Sequence, residues 1–327
     1  IMEYHKVWSK SRRELFLACP RWWVIRYGLN QANWGQSKSR EWHSMSDIRP
    51  HWDLMLRSCK QTIFERLEDL QMNIEWSPLF IERKIRENLS EKISHQQKVL
   101  SIHEVIGTKT AIDENLKLDD VDIEYLVKHS MKRITTLWNN DFIQALVSRF
   151  HKQWMVFERI ERSSVNGIDL YCCPDIAVKI QNHWHLIRID MQGKKDSSFE
   201  ELEAMAMVSW IRGKHNFPIL ANKYTIRVIA WRNGFWNQQR ITSSNDKLTQ
   251  SNYLIESDIK QMQKMLSKLG LENSFSQIPL AKKSSTCRKC ALRESCPGGR
   301  NLSSGIMQQS VLELAEFTKK GNSKIAY

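Results

Sequence analysis

Two carboxylates and a glutamine stand where they could do hydrolytic chemistry. Asp175 lies in "CCPDIAVKI" and Asp190 in "IRIDMQGKK", on segments that read as two neighbouring strands. A turn centred on Asn182-His183 makes these strands a hairpin and sets Asp175 opposite Asp190. Acids so paired can share one or two divalent cations, Mg²⁺ or Mn²⁺. Side chains alternate along a strand, so Gln192 shares a face with Asp190 and could orient an attacking water. The main-chain carbonyl of Met191 is a further candidate ligand. The plain alternative is two exposed acids on a hairpin.

A second constellation is made of thiols. Cys287, Cys290 and Cys296 form a C-x2-C-x5-C cluster followed by Pro297. A tetrathiolate site needs a fourth ligand, and Cys19 in "FLACPRWW" is the candidate, nearly the whole chain away. Iron–sulfur and structural zinc are both open on these residues. Cys59, Cys172 and Cys173 are left over and suit a core.

The elements that must position these groups are legible in outline. Ser11-Arg12-Arg13-Glu14 is a capping box and predicts a helix running to Cys19. Residues 51–72 read as a helix, residues 76–118 as a mixture of helices and loops. Asp119 or Asp120 caps a helix marked by Ile123, Val127, Met131, Ile134 and Trp138. Strands follow at 153–160, 168–180 and 184–191. Ser198-Phe199-Glu200-Glu201 opens another helix, residues 224–231 form a strand ended by Asn233-Gly234, and residues 254–269 form a helix. The division is a Cys19-bearing helical region over 1–150, an α/β core over 151–280 and a cysteine-rich segment over 281–327.

The 327 residues carry 49 Lys and Arg against 36 Asp and Glu, a formal charge of +13. Such an excess favours a polyanionic partner. It gathers at the ends: residues 1–50 hold nine basic residues against four acidic, and residues 281–327 hold nine against three. If the ends meet, they make one nucleic-acid-binding surface, with Arg12, Arg13, Lys282 and Lys283 as contacts. The chain has thirteen Trp, of which Trp22, Trp23, Trp34 and Trp42 lie among basic residues. These could stack on unpaired bases or pack around the thiols. No apolar run reaches membrane-spanning length and no secretory h-region is present, so a cytoplasmic protein without a membrane partner is expected.

The hairpin and the order of elements around it resemble the core of the PD-(D/E)XK nuclease superfamily. The Cys19 and C-x2-C-x5-C arrangement, with "SKSRRELFLACPRWWVIRYG", resembles the RecB-like iron–sulfur nucleases, among them AddB-type helicase–nuclease subunits and the CRISPR adaptation nucleases. The resemblance implies an α/β restriction-endonuclease-like core, a mixed sheet flanked by helices, with a helical insertion and an iron–sulfur-stapled periphery. It implies metal binding by Asp175 and Asp190, and a [4Fe–4S] cluster on Cys19, Cys287, Cys290 and Cys296. The expected activity is divalent-metal-dependent hydrolysis of DNA, as single strands or ends, beside a helicase or other subunit.

The chain departs from that pattern. The group's early-helix histidine is absent from "WDLMLRSCKQTIFERLEDL", with His51 just before it. Gln192 replaces a lysine, and loss of a charged transition-state partner costs about 10²–10³ in rate. Glu201 and Met205 stand where Gln-x-x-x-Tyr is usual. Lys194 and Glu201 are candidate substitutes for the missing groups. The second reading is therefore an inactive pseudo-nuclease that binds DNA as a subunit.

Overall fold

A five-stranded mixed sheet organises the molecule. The computed structural model describes residues 5–28, 43–106, 123–157, 160–193, 199–272, 278–288, 290, 292–293 and 296. The sheet runs β2 (Gln153–Val156), β5 (Ile176–Ile180), β6 (His183–Asp190), β7 (Tyr224–Arg232), β8 (Phe235–Thr242), in that spatial order. Within this sheet only β6 and β7 pair in parallel; its other three pairings are antiparallel. A parallel pair needs a crossover, and α7 (Phe199–Ile211) supplies it. Leu202 through Ile211 are all buried, as an all-round apolar helix must be.

Each face of the sheet has its own core. Ile176, Val178, Ile187, Ile189 and Ile229 meet α3 (His51–Gln71), α4 (Pro78–Ile106), α5 (Ile123–Trp138) and α6 (Asp141–Val147). On the other face, Ala177, Trp184, Leu186, Ile226 and Val228 meet α7, α8 (Asn245–Glu272) and the N-terminal elements. The helices between residues 51 and 147 thus form one layer over the strands that follow them.

The N-terminal elements are β1 (Val7–Trp8), α1 (Lys10–Ala18), α2 (Pro20–Trp23) and a π-turn over Val24–Gly28. Strand β1 joins a small second sheet with β3 (Ser163–Val165) and β4 (Ile168–Leu170). Trp8 is buried, and its indole N–H donates to Asp258 on α8 at 2.9 Å. A short helix, α9 (Ser284–Arg288), carries Cys287. Among the described residues no helix is long and apolar enough to cross a membrane.

Several expectations are corrected here. Helix α1 starts at Lys10, because Ser9 and not Ser11 accepts from the Arg12 N–H, at 3.2 Å. Helix α4 is unbroken from 78 to 106; Ile81, Ile85, Leu89 and Ile93 make the i, i+4 stripe that the polar residues between them hide. The span 168–180 is two strands in two sheets, separated at Pro174, which has no N–H for a ladder. Cys172 and Cys173 are buried in that connection, and Cys59 is buried in the other core. Strand β8 was not expected; Asn233 and Gly234, both at positive φ, make the two-residue turn into it. The capping residues Asp119, Asp120 and Ser198 lie outside the described residues.

Candidate functional site

The hairpin forms, with its register displaced by two. Ile180 pairs with His183 and Ile176 with Ile187, so the turn is Gln181-Asn182, with Gln181 in the left-handed region. Extending that register sets Asp175 opposite Arg188 instead of Asp190. A shift of two preserves the side-chain face, so Asp175, Arg188 and Asp190 still lie on the same side of the sheet.

Asp175 is fully buried. Its Oδ1 accepts from the Arg188 guanidinium at 2.7 Å. Its Oδ2 accepts from the Lys60 ammonium at 2.8 Å and from the Ile189 N–H at 2.6 Å. Lys60 is itself buried and also donates to the Ile189 carbonyl. A carboxylate oxygen and a main-chain carbonyl are what a hard divalent cation takes as ligands. Here an ammonium takes them.

The charges continue outward as an alternating chain. Arg188 also donates to the Cys173 carbonyl at 2.9 Å and ion-pairs Glu203 of α7 at 3.1 Å. Lys10 pairs with Glu203 at 2.9 Å and lies 3.9 Å from Asp190. Burial works against the Arg188 charge, but Asp175 and then Glu203 outweigh it and hold the guanidinium above its ordinary pKa. Burial likewise opposes the Lys10 charge, and Glu203 overcomes it, with help from Asp190. Lys60, Asp175, Arg188, Glu203, Lys10 and Asp190 make three cations against three carboxylates.

Asp190 is the outermost member and lines a broad open cleft of about 1720 Å³. Strand β6 ends at Asp190, and residues 191–192 form a turn in which the Gln192 N–H donates to Asp190 Oδ1 at 3.1 Å. The exposed Gln192 side chain is therefore not held by strand alternation. The Gly193 N–H donates to the Trp231 carbonyl at 3.0 Å, so close to β7 that a Cβ would meet Arg232 Nε at 2.6 Å and Ala230 at 2.8 Å. Lys194 lies outside the described residues. The candidate acid Glu201 is exposed and pairs with Lys247 at 2.7 Å; Glu203, two positions on, faces the site in its place. Six Lys and Arg against seven Asp and Glu line the cleft, so it is not a basic groove.

The segment around Cys19 meets the segment from Ile278 to Cys287. The Arg21 guanidinium donates to the Ile278 carbonyl at 2.7 Å, and Cys19 packs with Ala281 and Cys287, with Trp22 against them. The thiols of Cys19, Cys287, Cys290 and Cys296 are near enough for their charges to interact. Burial raises Cys19 and Cys290 to about 12 and Cys287 to about 11, with the Arg21 charge opposing the rise at Cys19. Among the described residues no three Cys, His, Asp or Glu are gathered closely enough to hold a metal ion. Four soft thiols from two ends of the chain are nonetheless the donor set that iron–sulfur or zinc requires.

The expected nucleic-acid contacts divide. Lys282 and Lys283 are exposed. Arg13 is instead bound to Asp258 at 2.7 Å, the same oxygen that Trp8 uses. Arg12 lies over the Tyr27 ring at 4.1 Å, and burial lowers its pKa. Trp23 is buried against Phe16, and Trp34 and Trp42 lie outside the described residues.

No family model matches this chain, and no curated protein matches it. One solved structure, described as the crystal structure of SSO0001, is similar over 73% of this chain and 96% of that chain, at 13% sequence identity and a TM-score of 0.27. A score that low carries no argument about fold or function.

Proposed function

We propose that this chain is a nucleic-acid-binding pseudo-nuclease: a PD-(D/E)XK-like core in which an internal ion-pair network replaces the catalytic metal. One observation carries the reading: the Lys60 ammonium sits on the buried Asp175 carboxylate, with the Ile189 carbonyl as its second acceptor. Mg²⁺ or Mn²⁺ needs anionic oxygens with free lone pairs. Those of Asp175 are engaged by two cations and an amide, and the network as a whole is neutral. Such a site has no charge with which to draw a dication from water.

The mixed sheet with its single parallel pair, and the crossover helix between them, support the nuclease-like core. The charge of +13 supports a polyanionic partner. In this reading Cys19, Cys287, Cys290 and Cys296 would hold a [4Fe–4S] cluster, with zinc as the other occupant. The cluster would supply four metal–thiolate bonds across the junction of the two ends and keep the exposed Lys282 and Lys283 beside the N-terminal helices.

The test is an assay of anaerobically purified protein with Mn²⁺ on single-stranded and duplex DNA. The pseudo-nuclease gives no cleavage, and it binds DNA equally well in EDTA and after Asp190→Ala. Mn²⁺-dependent cleavage that disappears in Asp190→Ala overturns this reading and restores the hydrolytic one.

A further inference from the structure

A second charged cluster lies at the other end of the central strand, on the opposite face of the sheet. His183 and His185 stand at the start of β6, Thr225 and Arg227 on β7, and Arg240 on β8, all facing the side that α6 covers. Seven residues of strand separate His183 from Asp190, about 23 Å at the usual rise. His151, just after α6, completes the group; its ring lies 5.9 Å from Phe142.

The geometry is specific. Arg227 Nε donates to His185 Nδ1 at 3.1 Å, which leaves the His185 proton on Nε2. His183 Nε2 and the Thr225 hydroxyl are 2.7 Å apart, and the two imidazoles are 5.4 Å apart, edge to face. Arg227 and Arg240 are direct cross-strand partners. The Arg227 guanidinium lies 5.2 Å from the Phe142 ring centre. His185 and Thr225 are buried, Arg227 and His183 half-buried, and Arg240 exposed, so the cluster opens to solvent along β8.

Like charges directly opposite in a sheet are destabilising, and Arg227 and Arg240 stand in that relation. Arg227, His183, Arg240 and His151 act on His185; Arg240 and Lys223 act on His183; Arg227 acts on His151. Among the described residues the main charges acting on these imidazoles are cations. The adjoining residues of β5, Val178 and Ile180, carry no charge. Burial first, then these cations, lowers all three imidazoles, His185 to about 4. Two guanidiniums with fixed N–H forks, neighbouring imidazole N–H groups and a threonine hydroxyl are the donors that tetrahedral oxyanions take.

We infer that His151, His183, His185, Thr225, Arg227 and Arg240 form a binding site for a phosphate-class oxyanion. The anion supplies the negative charge that the cluster lacks and favours the imidazolium forms. Binding therefore takes up protons and tightens as pH falls. The source of the oxyanion is a phosphodiester of a nucleic-acid backbone or a free phosphate group. The site stands on its own geometry and does not depend on the pseudo-nuclease reading.

The test uses the full chain, with the imidazole signals followed by NMR at pH 6 at constant ionic strength. Sulfate is the probe for pH dependence because its own charge is constant there; inorganic phosphate is the second probe. The His183 and His185 signals should shift saturably. The sulfate affinity should rise between pH 7.5 and 5.5 by up to about tenfold per pH unit for each proton taken up. Arg240→Gln, on an exposed edge strand, should weaken binding about tenfold, the value of one charge-assisted hydrogen bond. Shifts that are linear in anion, or that Arg240→Gln and Arg227→Gln leave unchanged in folded protein, overturn the inference. An oligonucleotide that displaces sulfate identifies the phosphodiester as source; one that leaves sulfate bound identifies a free phosphate, and either result presupposes the site.

Discussion

The Lys60 ammonium lies 2.8 Å from Oδ2 of Asp175, a carboxylate with no exposure to solvent, and the two come from different layers of the fold. Lys60 is on α3, over one face of the sheet; Asp175 just precedes β5 and has Arg188 as its other cation. Removing one partner of a buried pair leaves an uncompensated charge. Lys60→Met should therefore destabilise the fold by about 3–5 kcal/mol. In an Asp175→Asn background the same change should cost less, with an interaction term of about 1–3 kcal/mol. Urea denaturation of the four proteins of the cycle measures this. Additive effects would mean that Lys60 and Asp175 do not act as a pair.

The imidazole cluster sets an acid limit on stability. His185 is lowered to about 4, by burial and then by Arg227. A group with its folded pKa below its unfolded one contributes fully above the unfolded value, about 6.5. That contribution is lost as pH falls from there towards 4, because the unfolded chain binds the proton first. Solvent near this half-open site screens the effect, so the loss should be at most about 2 kcal/mol. His185→Gln should flatten the stability profile between pH 6.5 and 4 while leaving its shape above pH 7 unchanged. An unaltered acid slope in His185→Gln contradicts the assignment.

The four thiols make a prediction about metal content. Anaerobically purified protein should be brown, with about four irons per chain if one [4Fe–4S] cluster is present. Cys19→Ala should lose both the iron and part of the thermal stability, because it removes the thiol that packs on Ala281 and Cys287 and leaves the Arg21–Ile278 hydrogen bond to hold that junction. Colourless protein with one zinc per chain assigns zinc to the site instead.

Periodicity made the helices at 51–71 and 123–138 legible, and β-branched and aromatic runs with turn signals at Asn182-His183 and Asn233-Gly234 marked β6 and β7. The hairpin register was not legible, because Gln181, Asn182 and His183 are all turn-compatible and only packing chooses among them. The two acids were legible as a pair of types. Their cations were not: Lys60 looks like a solvated helix position, and Arg188 like an exposed alternate residue of a strand. Lys60 is buried where α3 brings it onto Asp175, and Arg188 between Asp175 and Glu203 of α7, a long-range outcome that no local pattern encodes. Two signals were present. Arg188 stands two residues before Asp190, on the same face, and Glu203 is spaced to face the sheet when Glu201 faces out.

Charge distribution at the ends separates stability from binding. Arg13 is tied to Asp258 and Arg12 packs on Tyr27. Arg13→Ala should therefore lower the melting temperature. Lys282→Ala and Lys283→Ala should change stability by no more than about 0.5 kcal/mol. If these lysines meet phosphates, each replacement should reduce the salt slope of DNA binding by about one. Filter binding across a salt series, with thermal melts of the same variants, measures both. Lysine variants with the parent's slope remove the C-terminal segment from the binding surface.

Gln192 offers the sharpest separation of a weakened nuclease from a pseudo-nuclease. In a weakened nuclease the metal site is intact and only the cation beside the phosphate is missing. Gln192→Lys should then raise Mn²⁺-dependent cleavage strongly. With Lys60 on Asp175 the deficiency lies one step earlier, at metal binding, so Gln192→Lys alone should produce no cleavage. Lys60→Ala removes the ammonium from the Ile189 carbonyl and from Asp175 Oδ2, which keeps the Ile189 N–H, and leaves Asp175, Glu203 and Asp190 with two cations in place of three. The site then carries net negative charge, and a dication becomes a favourable replacement for the lost ammonium. Mn²⁺ should therefore raise the melting temperature of Lys60→Ala and leave that of the parent unchanged. At a concentration one hundred times its dissociation constant, a bound ion stabilises by about 2.7 kcal/mol. Adding Asp190→Ala should reduce this response, because it removes the carboxylate that faces the cleft. A parent protein stabilised by Mn²⁺ as strongly as Lys60→Ala would show that the ammonium does not hold the metal position.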